Sequence, residues 1–195
     1  MKIVENFVAK EYQDLLEQNL CGFDFDWHYS PVTVDYENLQ KNTFFDKNTI
    51  DTYQFCHLFA YHNKTTSNYW QLISPLLFHL TAKEGVDTRE VLRCKANLTI
   101  NQLQFNENCY FPAHFDTQIE DDSSTITAIY YVNDSDGDTI FFETPQDNNV
   151  EELKIIDRLS PKKGTLVYFD SKTLHAGQLP RNSKHRCVIN FNFCQ

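Results

Sequence analysis

Residues 124–142 read STITAIYYVNDSDGDTIFF and contain two short runs that are rich in β-branched and aromatic side chains. Such runs are typical of β-strands, and they predict strands at 124–133 and 138–142. Asp136-Gly137 lies between the two runs, and an Asp-Gly pair favours the positive backbone dihedrals of a tight β-hairpin. The stretch therefore predicts two consecutive strands joined by a short turn.

The same pattern recurs through the second half of the chain, from about Glu90 onward. Further strand-like runs lie at 91–100, 109–116, 152–158, 164–169 and 184–194. One aromatic-rich segment, Tyr53 to Tyr61, predicts an earlier strand. Many short strands separated by turns and preceded by helices indicate a mainly β protein of the α+β class. We expect a β-sandwich or barrel with N-terminal helices packed on one outer face.

Two amphipathic helices are predicted before this β region. The first covers residues 8–20, where apolar side chains recur at the spacing of one helix face: Val8, Tyr12, Leu15, Leu16 and Leu20. The second follows Ser67, a capping residue, and Pro75 should kink it because proline lacks the N–H that a helix interior needs. The apolar positions of this helix are Trp70, Ile73, Leu76, Leu77 and Leu80.

Length and composition indicate one unit with one core. The chain has 195 residues, of which 41% are hydrophobic, and a single domain of this size can bury a sizeable core. We therefore expect one domain over 1–195, with a helical and substrate-facing part at about 1–89 and a β core at about 90–195. The net charge of -10 would repel a phosphate backbone, which disfavours nucleic acid as a partner.

Location and redox state are also predicted from composition. No stretch approaches the roughly 20 apolar residues that span a bilayer, and residues 1–12 lack the apolar core of a signal peptide. We therefore expect a soluble, cytoplasmic protein without a membrane partner.

The six cysteines include no CxxC pair, so reduced thiols are expected. The sequence carries no signal for oligomeric state.

His114-Phe115-Asp116 places two metal-ligating side chains on the same side of an extended segment. This HxD pattern is weak evidence alone, because a chain with seven histidines produces it easily by chance. A later histidine, His175, follows the strand-like run 164–169 and can return to the same end of a barrel. Two imidazoles and one carboxylate are the ligand set of non-haem Fe(II) oxygenases. The alternative for His175 is an exposed loop histidine.

Arg186 opens the run RCVINFNF, in which side chains alternate between two faces of a strand. It shares one face with Val188, Asn190 and Asn192. A buried arginine needs an anion, because an uncompensated buried charge is costly, and its planar fork suits a carboxylate. That anion is either a bound ligand or a structural aspartate or glutamate.

The order of HxD, a later histidine and a basic residue eleven positions further on resembles the 2-oxoglutarate- and Fe(II)-dependent dioxygenases. TAIYYVN at 127–133 and GDTIF at 137–141 resemble strands of the prolyl 4-hydroxylase branch. The resemblance covers roughly residues 90–194 and implies a double-stranded β-helix, the jelly-roll or cupin-like fold. The chain length and the phrases KANL, AIYYVN and VINFNF also resemble short oxygenases encoded by marine phages.

The resemblance implies a role for each matching residue. His114, Asp116 and His175 would be the catalytic residues that bind Fe(II), and Arg186 would bind the distal carboxylate of 2-oxoglutarate. Five further residues are candidates for cosubstrate binding: Tyr131 and Thr139 on the two strands named above, Thr99 where the family often has a tyrosine, Asn97 on the same face as Thr99, and Asn190 on the face of Arg186.

The implied reaction is hydroxylation of a C–H bond with O2, release of succinate and CO2, and ascorbate as an auxiliary reductant. The first interpretation is an enzyme that hydroxylates a prolyl or other residue in a peptide or protein. A nucleic-acid base is an alternative substrate, although the second arginine usual in that branch is missing at 190–192. A free small molecule is another alternative. A metal-free β-barrel that acts as a binding module is the alternative from a different class.

Two less regular segments are candidates to flank the substrate, residues 21–50 and 117–124. Asp121 and Asp122 would attract a basic substrate, unless they simply form a solvated loop. An aromatic cluster in the first segment either lines a peptide groove or packs the helices onto the sheet, and we favour packing. Its members are Phe23, Phe25, Trp27 and Tyr29.

Overall fold

A computed structural model of the chain describes residues 1–34, 43–116, 124–146 and 150–195. The helices in these ranges are α1 (Lys10–Leu20), α2 (Trp70–Ile73) and α3 (Pro75–Glu84). The strands are β1 (Lys2–Val4), β2 (His28–Ser30), β3 (Thr43–Phe44), β4 (Gln54–Tyr61), β5 (Lys64–Thr65), β6 (Glu90–Ile100), β7 (Ala113–His114), β8 (Thr125–Tyr131), β9 (Thr139–Phe142), β10 (Ile155–Leu159), β11 (Leu166–Asp170), β12 (His175–Gly177) and β13 (His185–Cys194).

These strands form two antiparallel sheets. The larger sheet has the order β1-β11-β8-β13-β6-β4-β2, and β5 pairs with β4. The smaller sheet has the order β10-β9-β12-β7-β3. Strands that follow one another along the chain repeatedly change sheet, which is the arrangement of a jelly roll. The predicted fold class is therefore confirmed: the protein is mainly β, with a double-stranded β-helix core and flanking helices.

Strand β13 shows how the two faces of the larger sheet are used. One set of its side chains is buried in the same cluster as the helices: Cys187, Ile189, Phe191 and Phe193. Val188, on the other face, packs in a separate cluster with side chains from β8, β9 and β11. This is the predicted alternation of a strand. It leaves the face of Arg186 turned toward the smaller sheet, while the helices cover the opposite face.

Helix α1 agrees with its prediction except at one position. It begins at Lys10, two residues later than predicted, and buries Leu16 and Leu20. Leu15 was expected on the buried face, but 44% of it is exposed. Consecutive residues are about 100° apart around a helix axis, so Leu15 lies outside the stripe that contains Leu16 and Leu20.

The helix predicted after Ser67 is divided in two. Helix α2 ends at Ile73, and α3 begins at Pro75, where the missing N–H would have no partner within the helix in any case. The kink predicted at Pro75 is thus a full break. Ser67 Oγ accepts the backbone N–H of Tyr69 at 3.1 Å, so this side chain stabilises the turn before α2.

The predicted hairpin at Asp136-Gly137 is wrong. Strands β8 and β9 lie in different sheets, and residues 132–138 cross from one sheet to the other. Gly137 is not one of the two described glycines with positive φ. A tight hairpin instead joins β4 to β5, where His62 and Asn63 have φ angles of 45° and 59°, the positive values that a two-residue hairpin turn requires.

Two further departures from the predicted strands shape the site. The run 109–116 forms only the two-residue strand β7, which begins directly after Pro112, a residue that cannot donate to a strand ladder. Residues 175–177 lie outside every predicted strand, yet they form β12, which pairs with β7 on one side and β9 on the other. The two short strands therefore lie next to each other.

Two compositional expectations can be compared with the structure. None of the described helices has the length and apolar character to cross a membrane. All six cysteines are free thiols, and two of them, Cys94 and Cys187, are buried, as expected for reduced cysteines.

Candidate active site

The three predicted metal ligands meet at one place on the smaller sheet. His114 on β7 lies directly opposite His175 on β12, and Asp116 follows β7 by two residues. The carboxylate oxygens of Asp116 lie 3.8 Å from His114 Nε2 and 3.6 Å from His175 Nε2. The ligating atoms of all three residues lie within 4.8 Å of one another, so they can hold one metal ion.

Backbone carbonyl groups orient both imidazole rings. His114 Nδ1 lies 3.0 Å from the oxygen of Pro112, and His175 Nδ1 lies 2.9 Å from that of Thr173. A carbonyl oxygen only accepts, so each Nδ1 carries the proton and each Nε2 keeps a lone pair for a metal. Burial, together with the neighbouring His175, lowers the pKa of His114 to about 4. The His114 ring is therefore neutral at pH 7, the form that ligates metals.

The carboxylate of Asp116 is held at both oxygens. Arg93 Nη2 donates to one at 3.1 Å, and Thr127 Oγ1 donates to the other at 2.7 Å. Asn192 connects the two donors, because it donates to Thr127 Oγ1 at 3.0 Å and accepts from Arg93 Nε at 3.1 Å. Burial would raise the pKa of Asp116, but the adjacent His175 and Arg93 outweigh burial and hold the pKa below its usual range. The group is therefore a fixed, ionised carboxylate.

The substitution Thr127→Val tests the role of this hydroxyl. Valine keeps the shape of the side chain but leaves one oxygen of a buried carboxylate without its donor. We expect the affinity for Mn(II), a redox-inert probe, to fall by about 10- to 100-fold, the usual cost of losing a group that orients a metal ligand. The matched control is Thr81→Val on the exposed surface of α3. Equal Mn(II) affinity in both variants would contradict the prediction.

Arg186 is buried, with 5% of its surface exposed. Its Nε donates to the carbonyl oxygen of Gly137 at 2.7 Å, and its Nη2 donates to Thr139 Oγ1 at 2.9 Å. Arg186 forms no ion pair with any residue in the described ranges. Burial lowers the pKa of Arg186, yet a guanidinium stays charged at pH 7. A buried cation without an anion indicates that a ligand supplies one.

Thr139 connects Arg186 to Tyr131. The hydroxyl of Tyr131 donates to Thr139 Oγ1 at 2.8 Å. Burial raises the pKa of Tyr131 to about 12, so its hydroxyl remains a donor at neutral pH. Thr139 faces the cavity described below, whereas Tyr131 is fully buried behind it. The structure thus brings both predicted residues to Arg186, but only Thr139 is in reach of a ligand.

A cavity of about 140 Å³ extends between the sheets, and its lining includes both the metal triad and Arg186. Three more predicted residues, Asn97, Thr99 and Asn190, also line it. The side-chain oxygens of Asn97 and Thr99 are buried and have no hydrogen-bond partner among the described residues. Buried polar atoms without partners are rare in proteins. Their presence here indicates that the cavity accepts a polar ligand.

Gly137→Ala is expected to disturb the Arg186 side of this cavity. The added Cβ would lie 2.5 Å from the oxygen of Gln178, 2.9 Å from the nitrogen of Pro180 and 3.0 Å from Cδ of Arg186. The backbone must shift, so we expect the free energy of unfolding to fall by about 1–3 kcal/mol in urea titration and 2-oxoglutarate binding to weaken. Gly85→Ala, which meets nothing within 4 Å, should cost stability through its positive φ alone. Equal 2-oxoglutarate affinity in both variants would contradict the prediction that a side chain at position 137 disturbs the Arg186 side of the cavity.

Sequence reasoning missed Arg93 and Thr127. A signal for the first was present, because Arg93, Lys95, Asn97 and Thr99 occupy alternate positions on β6 and therefore share one face. All four line the cavity. No comparable signal marks Thr127, since most threonines in strands only pack. Its contact with Asp116 depends on which strands become neighbours.

The predicted substrate-flanking segments are described only in part. Residues 117–123, with the acidic pair, lie outside the described residues. Phe25 is buried and packs against Trp27 with ring centroids 4.9 Å apart, so the packing interpretation is confirmed for these two. Phe23 and Tyr29 are exposed, and neither is among the residues that line the cavity.

Solved structures share this fold. The chain resembles a Pseudomonas putida prolyl-4-hydroxylase with 14% identity and a TM-score of 0.55, over 100% of this chain and 92% of that one. It also resembles a viral collagen prolyl hydroxylase from Paramecium Bursaria Chlorella virus-1, with 16% identity and a TM-score of 0.52, over 99% of this chain and 88% of that one. A third similar structure is a Trichoplax adhaerens prolyl hydroxylase, solved with a peptide fragment of the hypoxia inducible factor oxygen degradation domain. The identity is 14% and the TM-score 0.54, over 99% of this chain and 82% of that one. At these identities the likeness shows the fold alone.

Sequence comparison gives the family. The profile of the 2OG-Fe(II) oxygenase superfamily matches residues 98–194, the region that contains the triad and Arg186, whereas no curated protein matches the chain. Two imidazoles and a carboxylate on one face of a jelly roll are the ligand arrangement associated with non-haem Fe(II) oxygenases. The chain belongs to the 2OG-Fe(II) oxygenase superfamily, and the family implies Fe(II) and 2-oxoglutarate.

Proposed function

We propose that the chain is a hydroxylase that uses Fe(II), 2-oxoglutarate and O2 to oxidise a C–H bond in a prolyl or other residue of a peptide or protein, with release of succinate and CO2. One observation carries the proposal. The buried guanidinium of Arg186 has no carboxylate partner in the described part of the chain, and it lines the same cavity as His114, Asp116 and His175.

The donor set fits Fe(II). His114 and His175 offer Nε2 lone pairs and Asp116 an ionised carboxylate, which leaves positions free for the cosubstrate and O2. When bound, Fe(II) together with 2-oxoglutarate and O2 supplies the oxidising chemistry. The protein's part is orientation: Arg93 and Thr127 hold the carboxylate at 3.1 and 2.7 Å, and two backbone carbonyls hold the rings.

The pocket fits 2-oxoglutarate. The guanidinium of Arg186 is proposed to pair with the distal carboxylate through its planar fork, with Thr139 as an added hydroxyl and Tyr131 holding that hydroxyl in place. Further proposed contacts to the cosubstrate are Asn97, Thr99 and Asn190. Ascorbate is proposed only as a reductant that maintains Fe(II).

A peptide or protein substrate is supported by the neighbours in structure, which include prolyl hydroxylases, one of them solved with a peptide fragment. We therefore propose a prolyl 4-hydroxylase-like activity. The viral neighbour is in keeping with the resemblance to phage-encoded oxygenases, and phage origin stays a prediction. Six free thiols suit a reducing compartment. The proposed location is the cytoplasm, that of the host if the chain is phage-encoded.

Sequential titration tests the binding part of the proposal. Calorimetry should show one Mn(II) site, followed by one 2-oxoglutarate site that forms only in the Mn(II)-loaded protein. A β-barrel that acts only as a binding module would bind neither ligand, and that result would reject the enzyme.

A product search tests the substrate class. The Fe(II)-loaded protein is incubated with 2-oxoglutarate, ascorbate and separate pools of peptides, amino acids and oligonucleotides. Mass spectrometry should detect a gain of one oxygen atom in the peptide pool. A product confined to the oligonucleotide or amino-acid pool would support the corresponding alternative and reject the peptide.

A further inference from the structure

The larger sheet carries a group of basic and apolar side chains beside the cavity, which we call the basic strip: Leu58, Tyr61, Lys64, Arg93 and Lys95. We propose that the basic strip docks an acidic segment of the peptide substrate. This inference rests on the proposed function, because it assumes that the substrate's reacting residue lies over the triad.

One row of the strip leads directly away from the triad. Strand pairing places Asn192 on β13 beside Arg93, Arg93 beside Tyr61, and Tyr61 beside Lys64 on β5. Residues paired in this way project their side chains from the same face of a sheet. That face is the one of the triad, because Arg93 donates to Asp116 at 3.1 Å.

A second row lies next to the first, where Leu58 on β4 is paired with Lys95 on β6. Both rows are accessible to a partner. Tyr61 is 50% exposed and Leu58 38% exposed, and the side chain of Arg93 retains 31% of its accessible surface. Arg93 and Lys95 also line the cavity. The strip is therefore continuous with the site of the proposed chemistry.

The charge of the strip is opposite to that of the whole chain. It contains three cations and no acidic residue, in a chain with a net charge of -10. Lys64 is exposed, and it is absent from the lysines that form ion pairs within the described ranges. The carboxylate partner of Arg93 is Asp116, which the proposed function assigns to the metal.

Binding of metal and cosubstrate leaves this positive charge in place. Among the described residues, the charged side chains that line the cavity are Arg93, Lys95, Arg186 and Asp116, which are three cations and one anion. The two positive charges of Fe(II) equal the two negative charges of 2-oxoglutarate. Even without Lys95, the two arginines outnumber Asp116, so the described lining of the loaded site keeps a net positive charge, which attracts an anionic partner.

The dimensions of the strip indicate where the acidic residues lie in the substrate. Neighbouring strands are about 4.8 Å apart, so Lys64 lies roughly 10 Å beyond Arg93, and an extended peptide covers that distance in about three residues. We expect acidic side chains about two to five positions from the oxidised residue, with Tyr61 and Leu58 contacting apolar atoms. A peptide is favoured over nucleic acid because the chain's net charge repels a long polyanion.

Binding of defined peptides tests the proposal. The protein is loaded with Mn(II) and 2-oxoglutarate, and fluorescence anisotropy is measured with three labelled peptides of equal length that carry a central proline flanked by glutamate, glutamine or lysine. A single-stranded oligonucleotide is the fourth probe. We expect the glutamate peptide to bind about tenfold more tightly than the glutamine peptide and the lysine peptide to bind most weakly. Added salt should reduce the difference.

A matched pair of variants tests whether the glutamate peptide binds at the basic strip. Lys64→Glu should weaken binding of the glutamate peptide about fivefold. Lys10→Glu makes the same change at an exposed position of α1, on the opposite side of the larger sheet, and should leave binding unchanged. Neither residue lies in the metal or cosubstrate site.

Several results would overturn the docking proposal. These are equal affinities for the three peptides, no measurable binding of the glutamate peptide, equal effects of the two lysine variants, or tightest binding of the oligonucleotide. Failure of the unaltered protein to bind Mn(II) or 2-oxoglutarate would instead overturn the proposed function. The two failures are therefore distinguished in one set of measurements.

Discussion

Replacing Arg186 with glutamine is expected to lower the affinity of the Mn(II)-loaded protein for 2-oxoglutarate by at least about 100-fold. The reason is burial: a carboxylate that enters this cavity loses water, and the buried guanidinium of Arg186 compensates that loss with its charge and its planar set of donors. Truncating one partner of a buried ion pair costs about 3–5 kcal/mol, or roughly two to four powers of ten. Isothermal titration calorimetry measures the loss directly.

Thermal unfolding separates this effect from damage to the fold. Without ligand, Arg186→Gln should be at least as stable as the parent protein, because it removes a buried cation that has no ion-pair partner among the described residues. With Mn(II) present, 2-oxoglutarate should raise the midpoint of the parent but not of the variant. Arg89→Gln, at an arginine whose side chain is 90% exposed, is the matched control. A normal ligand response in Arg186→Gln would contradict the assignment of this arginine.

Replacing His114 with alanine is expected to abolish the turnover of 2-oxoglutarate that Fe(II) supports in the absence of substrate. Two imidazoles and one carboxylate form the proposed set, and loss of one of three ligands should cost more than the roughly 10- to 100-fold in metal affinity that follows loss of a group that only orients a ligand. Succinate release, measured by chromatography, reports turnover. Mn(II) titration reports binding separately from activity.

His28→Ala is the control for this substitution, because His28 is an exposed histidine outside the triad. Far-UV circular dichroism of both variants should match that of the parent protein. Unchanged succinate release in His114→Ala would reject the iron assignment. Loss of release in both variants would show that the effect is not specific to the triad.

The charge distribution links the site to the proposed substrate. The chain is acidic overall, yet among the described residues that line its cavity the charged ones are mainly cationic. Arg186 is buried, whereas Arg93 is partly exposed. An anion buried in the cavity would therefore contact Arg186, and an anion that approaches from solvent would contact Arg93. In the proposed function, the cosubstrate would bind at the Arg186 end of the cavity and a charged substrate segment at the Arg93 end.

The part of the site that sequence reasoning recovered depends on strand periodicity. The alternation in 184–194 was sufficient to place Arg186 and Asn190 on one face and the apolar side chains on the other, because successive residues of any strand point to opposite sides. The same rule applied to β6 indicates that Arg93 faces the cavity. It does not show that Arg93 reaches Asp116, since that contact joins residues from different sheets.

The linear order of residues was therefore enough to establish a mainly β chain, the candidate ligands His114, Asp116 and His175, and the arginine that would need an anion. These features follow from local periodicity and from the chemistry of each side chain. Tertiary pairing alone placed His175 opposite His114 and turned the expected hairpin at Asp136-Gly137 into a crossing between sheets. Such features depend on which strands become neighbours, and local propensity does not encode that choice.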